Sequence, residues 1–386
     1  MNARLLIALL LSLTVALAAC GDTAPAPAEP VAPAAEEPAA EEPEAEEPAA
    51  EEPEAEEPAA EEADAEPTAA PEQEPAEEAA GEISGEIRMA NPTWDTAWFQ
   101  TEVFKQMLEE LGYTVNVIGE LPPETFYPAL ARGDADFWAD GWFPLHSEFL
   151  ESDLVAGMAE PIGFQVRAGA IQGYLVDAAT AEEHGITSVT DMTDPEIAAL
   201  FDTDGDGTAD LTGCDAGWGC EGAINTMLAE LELEDSITHV QGTYSLLMAD
   251  TIARYQRGEP VFFYTWTPNW TIAELAPGED VVWITVPGSE ASEGIPGCVE
   301  DPCAMGFDAN DLRVVANTDF LAANPAAAAL LEAVEIPLGD IAGQNQLLFE
   351  GEDSNDDIAR HASEWIENNR ETVDGWLDAA RAAAGM

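Results

Sequence analysis

The stretch ARGDADFWADGWFP, residues 131–144, contains in order a helix end, an Arg-Gly-acid turn, a strand and a Trp-Phe-Pro ending. The stretch QRGEPVFFYTWTP, residues 256–268, repeats this order and ends in Trp-Thr-Pro. Glycine ends a helix well because it adopts the left-handed conformation at little cost, and the apolar run after it has the length of a buried strand. Each stretch therefore predicts a helix followed by a strand, with Trp142 or Trp266 just beyond the carboxyl end of that strand.

The residues before the first stretch alternate between strand and helix patterns. The predicted strands are 86–90, 113–118 and 135–140, and the predicted helices are 97–111 and 125–132. This alternation predicts a parallel sheet covered by helices, that is, an α/β fold. Because the two quoted stretches share one pattern, the sequence predicts two similar lobes, each with a mostly parallel sheet, and a cleft between them. In open sheets of this kind, ligands bind beyond the carboxyl ends of the strands.

Three of the ten tryptophans are predicted at strand ends or at the start of a helix. They are Trp142, Trp218 and Trp266. The negative faces of aromatic rings attract a cation that has no hydrogen-bond donor, such as a methylated ammonium group. Three converging rings therefore predict a cage for a quaternary ammonium. Core packing is the alternative role for any single tryptophan, and it is favoured for Trp98, Trp138 and Trp283.

The segment CDAGWGCEG, residues 214–222, places Trp218 between two cysteines and leads into a helical pattern. The first backbone N–H groups of a helix have no partner within the helix, and anions bind there. At this helix start those groups belong to Gly219 and Cys220. His146, four residues after Trp142, either donates to the same anion or is a loop histidine with another partner. A cation cage beside an anion site predicts a zwitterionic ligand.

Four cysteines form two pairs that are close in the sequence, Cys214 with Cys220 and Cys298 with Cys303. Local pairing as disulfides is the simplest of three connectivities for an exported protein. A zinc site is the alternative. It is disfavoured because the two loops lack companion histidines and the pairs lie far apart in the sequence.

The segment DTDGDGTAD, residues 202–210, matches a calcium loop of the EF-hand kind. The residues at its ligand positions are Asp202, Asp204, Asp206, Thr208 and Asp210. The twelfth position, which supplies a bidentate glutamate in that loop, is Gly213 here. The sequence therefore predicts a structural Ca²⁺ ion, with an empty acidic turn as the alternative and no catalytic cofactor.

The N-terminal residues have the composition of targeting and tether segments. Residues 1–20 combine Arg4, an apolar run too short for a comfortable membrane span, and small residues before Cys20, which predicts a lipoprotein signal peptide with Cys20 as the lipid anchor. Residues 21–83 are a repetitive Pro/Ala/Glu segment, with 22 acidic and no basic residues between 21 and 80. Such a segment cannot form a core, and we expect a disordered acidic stalk.

The whole chain is strongly acidic, with 78 Asp and Glu residues against 11 Lys and Arg residues and a net charge of −67. The body after residue 80 retains a charge of about −46 by the same count. Nucleic acid and anionic membrane surfaces are excluded as partners at that charge, because the electrostatic interaction would be repulsive. A surface of this kind is typical of proteins that work in high salt, where charge repulsion is screened.

These motifs resemble the glycine betaine/proline betaine-binding proteins of osmoprotectant ABC transporters, from about residue 111 to residue 376. The resemblance rests on LGYTV, WFPLH, GYLVD, LFDTDGDGTADLTGC, GWGCEGAIN, MADTIARY and FFYTWTPNW. It implies a two-lobed type II binding-protein fold, with residues 84–173 and 314–386 in lobe I and residues 174–313 in lobe II. It also implies that Trp142, Trp218 and Trp266 surround a trimethylammonium group, while His146, Gly219 and Cys220 hold a carboxylate.

The expected protein is a lipid-anchored binding protein on the outer face of the cytoplasmic membrane. It would deliver a betaine-type ligand to the permease of an ABC transporter, and its partners would be that permease and, through it, the ATPase subunit. Capture of choline or another methylated amine is the alternative ligand choice. An enzyme is not expected, because Gly-x-Ser-x-Gly and His-Glu-x-x-His are both absent from the sequence. A calcium-dependent adhesin would explain the stalk but not the three tryptophans.

Overall fold

A computed structural model describes residues 83–386, in which helices pack on a nine-stranded sheet. The expected signal peptide at 1–20, the anchor Cys20 and residues 21–82 of the expected stalk lie outside the described residues. Ile83 belongs to the folded body rather than to the stalk. Its side chain is buried, and its backbone lies so close to Gly112 that a Cβ atom there would be 2.4 Å from the Ile83 carbonyl oxygen.

The chain alternates strands and helices along most of its length. The strands are β1 (Glu86–Pro92), β2 (Thr114–Leu121), β3 (Phe137–Phe143), β4 (Ala159–Asp177), β5 (Ala209–Thr212), β6 (Ile237–Val240), β7 (Phe262–Thr267), β8 (Val281–Ile284), β9 (Ala291–Ser292), β10 (Cys303–Ala304) and β11 (Asn310–Asn317). The helices are α1 (Thr96–Leu111), α2 (Pro123–Arg132), α3 (Ser147–Glu151), α4 (Ala178–His184), α5 (Pro195–Phe201), α6 (Gly219–Glu230), α7 (Tyr244–Gln256), α8 (Thr271–Glu274), α9 (Thr318–Ala323), α10 (Pro325–Ala333), α11 (Leu338–Phe349), α12 (Asn355–Asn368) and α13 (Arg370–Ala383). A short 3₁₀ helix lies at Val189–Thr193.

The sheet has the strand order β2-β1-β3-β11-β4-β7-β5-β6, and β8 also pairs with β4. Its outer strands are parallel: β1 pairs with β2 and β3, and β5 pairs with β6 and β7. The middle is antiparallel, because β11 returns between β3 and β4. The 19-residue β4 pairs with β11 through its first part and with β7 and β8 through its last part. This architecture is the α/β class that the sequence predicts.

Helix α1 shows why the predicted elements form where they do. Phe99, Val103 and Met107 are spaced along one helical face and are at most 2% exposed. Burying each such side chain stabilises the fold by about 1.5–3 kcal/mol. The helix ends where Gly112 adopts a φ of 116° and its N–H donates to the carbonyls of Leu108 and Glu109. Prediction and structure agree here to within one residue.

The two quoted stretches form matching helix–strand units, α2 with β3 and α7 with β7. The placement of their tryptophans differs from the prediction, because Trp142 and Trp266 are the penultimate residues of these strands rather than residues beyond them. The strands are longer because of antiparallel partners. Trp142 pairs with Leu312 of β11, and Trp266 pairs with Gln172 of β4. Pairing with strands that are distant in sequence thus extends both strands.

Both predicted local disulfides are present. Cys214 is bonded to Cys220 with 6.5 Å between the Cα atoms, and Cys298 is bonded to Cys303 with 6.1 Å. The first disulfide bridges the segment that leads from β5 into α6. Among residues 83–386, no helix combines the length and the apolar character that a bilayer crossing requires.

Candidate ligand-binding site

A pocket lies where β3 and β7 end and α6 begins, and four of its ten lining residues are tryptophans. Its empty volume is about 300 Å³, which includes space that is open to solvent. All six side chains and backbone groups that the sequence assigns to a ligand line this one pocket: Trp142, His146, Trp218, Gly219, Cys220 and Trp266. The remaining lining residues are Trp94, Leu145, Gln172 and Tyr264.

The rings of the pocket meet nearly at right angles. The centroids of Trp218 and Trp266 are 5.7 Å apart with an interplanar angle of 76°, and those of Trp94 and Trp218 are 5.6 Å apart at 77°. Perpendicular rings form adjoining walls of a box, whereas stacked rings would fill it. Trp142 contributes a further wall from the end of β3. Such a box presents π faces to a cation from several directions.

Hydrogen bonds at the indole nitrogens hold these rings in place. Trp218 Nε1 donates to Thr93 Oγ1 at 2.7 Å, and Trp266 Nε1 donates to Thr96 Oγ1 at 3.0 Å. Both acceptors lie between β1 and the first turn of α1. The polar edge of each indole is therefore satisfied within the protein, and its apolar faces remain for the pocket.

Trp94 is a member of this box that the sequence analysis did not assign to the cage. It is the second residue after β1 and is 5% exposed. A position near the end of a predicted strand is the signal by which Trp142 and Trp266 were assigned to the cage. The segment NPTWDTAWF at 91–99 gives Trp94 the same signal. The carboxyl ends of three strands, β1, β3 and β7, thus each supply one tryptophan.

The opposite side of the pocket is the amino end of α6. Trp218 is the extended residue before the helix, and Gly219 and Cys220 are its first two residues. Among the described residues, neither of their N–H groups donates a hydrogen bond. A Cβ atom on Gly219 would be 2.9 Å from Leu145 Cγ and 3.2 Å from His146 Cδ2, so the close packing here requires glycine. The helix start therefore has two free N–H donors of the kind to which anions bind.

His146 lies beside this helix start and is able to donate from Nε2 in its neutral form. The side chain is 2% exposed, and Nδ1 accepts a hydrogen bond from the Trp142 N–H at 3.3 Å. Nε2 therefore carries the proton in the neutral ring. Burial lowers the pKa of His146 to about 3, so the imidazole remains neutral at physiological pH. A neutral ring with a proton on Nε2 is able to donate, and the role of His146 as a donor to an anion stays a prediction.

Gln172 and Tyr264 also line the pocket, and the sequence analysis did not identify them. The Tyr264 hydroxyl donates to Gln172 Oε1 at 2.6 Å. Gln172 Nε2 is buried and has no hydrogen-bond partner among the described residues. Gln172 reaches the pocket because it lies opposite Trp266 in the β4–β7 register, and that long-range pairing has no local sequence signal.

The predicted calcium loop lies between α5 and β5. Side-chain oxygens of Asp202, Asp204 and Asp210 lie within 4.8 Å of one another, a spacing that could hold a metal ion. Asp206 lies outside this group, and its Oδ1 accepts hydrogen bonds from the N–H and the hydroxyl of Thr208. The structure therefore brings together three of the four predicted aspartates. At Gly213, a Cβ atom would be 2.0 Å from His239 Nε2, so packing excludes a glutamate there.

Comparison with known proteins shows a match along most of the described body. The family model described as the substrate binding domain of ABC-type glycine betaine transport system matches residues 85–368. A glycine betaine/proline betaine-binding periplasmic protein of Escherichia coli strain K12 is 44% identical over 313 residues, covering 79% of this chain and 93% of that protein. The glycine betaine-binding periplasmic protein OusX of Dickeya dadantii strain 3937 is 43% identical over 312 residues, covering 79% and 94%.

Solved structures share the fold. A glycine betaine, L-proline-binding protein from Borrelia burgdorferi superposes with a TM-score of 0.62 at 18% identity, covering 78% of this chain and 99% of that one. Lactococcal OpuAC in its closed form with glycine betaine gives a TM-score of 0.58 at 17% identity, covering 76% and 99%. At these identities the matches establish the fold alone. They confirm the predicted α/β binding-protein architecture.

Proposed function

The chain belongs to the family of substrate-binding domains of ABC-type glycine betaine transport systems, and we propose that it captures glycine betaine, or a closely related quaternary-ammonium zwitterion, for uptake by such a transporter. One observation carries the proposal. A single pocket combines a box of tryptophan rings with two free N–H groups at a helix start and a neutral histidine donor.

The two ends of the pocket suit the two ends of the ligand. A trimethylammonium group has no N–H to donate, so it gains from ring faces, with each contact contributing about 0.5–2 kcal/mol when desolvated. A carboxylate accepts from Gly219 N–H, Cys220 N–H and His146 Nε2. Choline has the same cation but lacks the carboxylate, and it would leave these donors without an acceptor. The anion site therefore favours betaine over choline.

Ligand binding is proposed to close two lobes, lobe I with residues 84–173 and 314–386 and lobe II with residues 174–313. The support is a set of hydrogen bonds between these two parts of the chain, all near the pocket. Trp218 bonds Thr93, Trp266 bonds Thr96, and Trp270 Nε1 donates to Asp95 Oδ2 at 2.6 Å. Two of these tryptophans also line the pocket, so the same side chains that contact the ligand stabilise the closed form.

The rest of the proposed system follows from the family and the N-terminal sequence. The closed form would dock on the transporter permease and, through it, serve the ATPase subunit. The named relatives are periplasmic proteins, which supports a location outside the cytoplasm. We propose that Cys20 carries a lipid anchor after removal of the residues that precede it and that the acidic segment 21–82 is a tether. Labelling of cells with a radioactive fatty acid tests the anchor, and Cys20→Ala would abolish the label.

The acidic loop before β5 is proposed to bind a structural Ca²⁺ ion through Asp202, Asp204 and Asp210. The support is the spacing of their carboxylate oxygens and the match of 202–210 to a calcium loop. The relatives are transport proteins, so we propose a binding protein rather than an enzyme, with no catalytic cofactor.

Calorimetric titration of the full chain with glycine betaine, choline and proline tests the proposed function. We expect saturable binding of glycine betaine, weaker binding of choline, and little binding of proline, which lacks the methylated cation. Tight binding of choline with no response to betaine would make this a choline receptor. A folded protein that binds none of the three would refute the proposal.

A further inference from the structure

Asp140 is a fully buried carboxylic acid directly behind the tryptophan box. It lies in β3 between Ala139 and Gly141, is 0% exposed and has a backbone φ of 65°. Side chains other than glycine rarely adopt this left-handed conformation, although aspartate and asparagine tolerate it better than most. A charged residue that is both buried and held in this conformation calls for a specific role.

The side chain of Asp140 contacts the pocket wall rather than the pocket itself. Its Oδ2 accepts a hydrogen bond from Trp94 Nε1 at 2.6 Å, and the Trp94 ring lines the pocket. The carboxylate therefore lies at one edge of an indole whose ring adjoins the space where a cation would bind. A hydrogen bond to a carboxylate also makes the indole a stronger partner for a cation, because it increases the negative charge of the ring face.

A chain of buried hydrogen bonds connects Asp140 to a second wall of the box. The Asp140 N–H donates to Gln165 Oε1, and Gln165 Nε2 donates to Gln100 Oε1. Gln100 Nε2 then donates to the carbonyl of Thr96, whose hydroxyl accepts from Trp266 Nε1. Asp140, Gln100, Gln165 and Thr96 are all at most 2% exposed. This network holds Trp94 and Trp266 at fixed positions relative to Asp140.

The charge of Asp140 has no counter-charge in the described part of the protein. Among residues 83–386 it forms no ion pair, and its Oδ1 is buried without a hydrogen-bond partner. The cations on the elements packed around β3 have other partners. Arg313 on β11 donates to the carbonyls of Pro161 and Gly163, and Arg88 on β1, Lys105 on α1 and Arg132 on α2 are paired with Asp136, Glu102 and Asp134. Asp95, which precedes α1, adds repulsion, and His146 is neutral. The missing positive charge is therefore expected from the ligand.

We propose that Asp140 is a positioning residue of the cation site: it fixes Trp94 as a wall of the box, and its charge makes the pocket select a quaternary ammonium over an uncharged group of the same shape. The inference rests on the proposed function and goes beyond it, because it identifies the group by which the pocket recognises the charge of the ligand as well as its shape. Ring faces alone attract a cation only modestly, whereas a buried carboxylate discriminates strongly between charged and uncharged groups.

The pKa of Asp140 agrees with this role. Burial raises the pKa to about 6 and the nearby charge of Asp95 adds to the increase, although the hydrogen bond from Trp94 opposes it. A bound cation favours the ionised carboxylate, so betaine binding lowers this pKa. By linkage, the affinity for betaine falls as the pH falls through about 6, by up to about tenfold per pH unit. Burial also raises the pKa of Asp95 to about 6, so the two carboxylates must be separated by variants.

The test compares glycine betaine with 3,3-dimethylbutanoate, in which a carbon atom replaces the positively charged nitrogen. Affinities of both ligands are measured by calorimetry for the full chain, for Asp140→Asn and for the control Asp136→Asn. Asparagine retains an acceptor for Trp94 Nε1 and tolerates the backbone conformation, so this change removes mainly the charge. Asp136 is a matched control, because it is also buried and near β3 but is paired with Arg88 away from the pocket.

We expect Asp140→Asn to weaken betaine binding by about tenfold or more and to leave binding of the isostere unchanged or slightly tighter. Asp136→Asn should leave the ratio of the two affinities unchanged. An equal loss for both ligands in Asp140→Asn would overturn the proposal, because it would mean that Asp140 only maintains the shape of the pocket. Failure of the unaltered chain to bind betaine would instead refute the proposed function.

If the isostere binds too weakly for its dissociation constant to be measured, the pH profile of betaine affinity tests the proposal instead. In the unaltered chain the affinity should fall between pH 7 and pH 5, and Asp140→Asn should remove most of that slope. Asp95→Asn should retain a slope that comes from Asp140. A slope that is the same with and without Asp140 would contradict the proposal.

Discussion

Trp218 has two functions in the proposed mechanism, because its ring lines the pocket and its Nε1 donates to Thr93 at 2.7 Å. Replacement by alanine removes both. One ring face contributes about 0.5–2 kcal/mol to cation binding, and one hydrogen bond contributes about 0.5–1.5 kcal/mol to the closed form. The expected loss of betaine affinity is therefore about 1–3.5 kcal/mol, or about fivefold to several hundredfold.

The two contributions can be separated by smaller changes. Thr93→Val removes only the acceptor of the hydrogen bond, and Trp218→Phe keeps an aromatic face but removes the donor. Both single changes remove the same hydrogen bond between Trp218 and Thr93. The double variant should therefore lose less betaine affinity than the sum of the two single losses. Calorimetric titration with betaine measures all four proteins of the cycle.

A matched control shows whether any loss comes from the pocket or from general destabilisation. Trp376 on α13 is also partly buried and stacks on Trp365 with a centroid distance of 6.4 Å, but it does not line the pocket. Trp376→Ala should lower the melting temperature without changing betaine affinity. The reasoning would be refuted if Trp218→Ala folded normally and bound betaine as tightly as the unaltered chain.

Three further changes test the anion end of the pocket and the acidic loop. His146→Phe should weaken betaine binding by about tenfold or more, because it removes a buried donor to the carboxylate, while choline binding changes little in parallel titrations. Gly219→Ala should weaken betaine binding at least as much, because the added Cβ atom would lie 2.9 Å from Leu145 Cγ and displace the helix start; a structure of this variant with unchanged α6 would contradict the explanation. Asp204→Asn should abolish any rise in melting temperature that Ca²⁺ produces in the unaltered chain, and a rise that survives in this variant would place the ion elsewhere.

The elements that could be predicted from the sequence are those whose signals lie in adjacent residues. Helix α1 is marked by apolar residues at helical spacing and by a terminal glycine, and both features are local. The same holds for the anion site, since the disulfide, the extended Trp218 and the first turn of α6 all lie within residues 214–222. Trp142, Trp218 and Trp266 could be proposed because each lies near the end of a predicted strand or before a predicted helix.

The parts that could not be predicted depend on strand pairing between distant segments. β11 lies between β3 and β4, an arrangement that has no signal near residue 310. This return of the chain makes the middle of the sheet antiparallel and extends β3 through Trp142. Gln172 enters the pocket for the same reason, because β4 pairs with β7.

The sequence by itself therefore determined the α/β class, the local disulfides and the chemistry of both ends of the proposed ligand. Periodicity, terminal glycines and short cysteine spacing are properties of residues close together in the sequence, and they do not depend on contacts with distant parts of the chain. Only the tertiary structure decided which side chains share one pocket, that Trp94 is one of them, and that the Asp140 carboxylate lies behind it without a counter-charge. These features come from the pairing of strands far apart in sequence, which burial of the whole core selects.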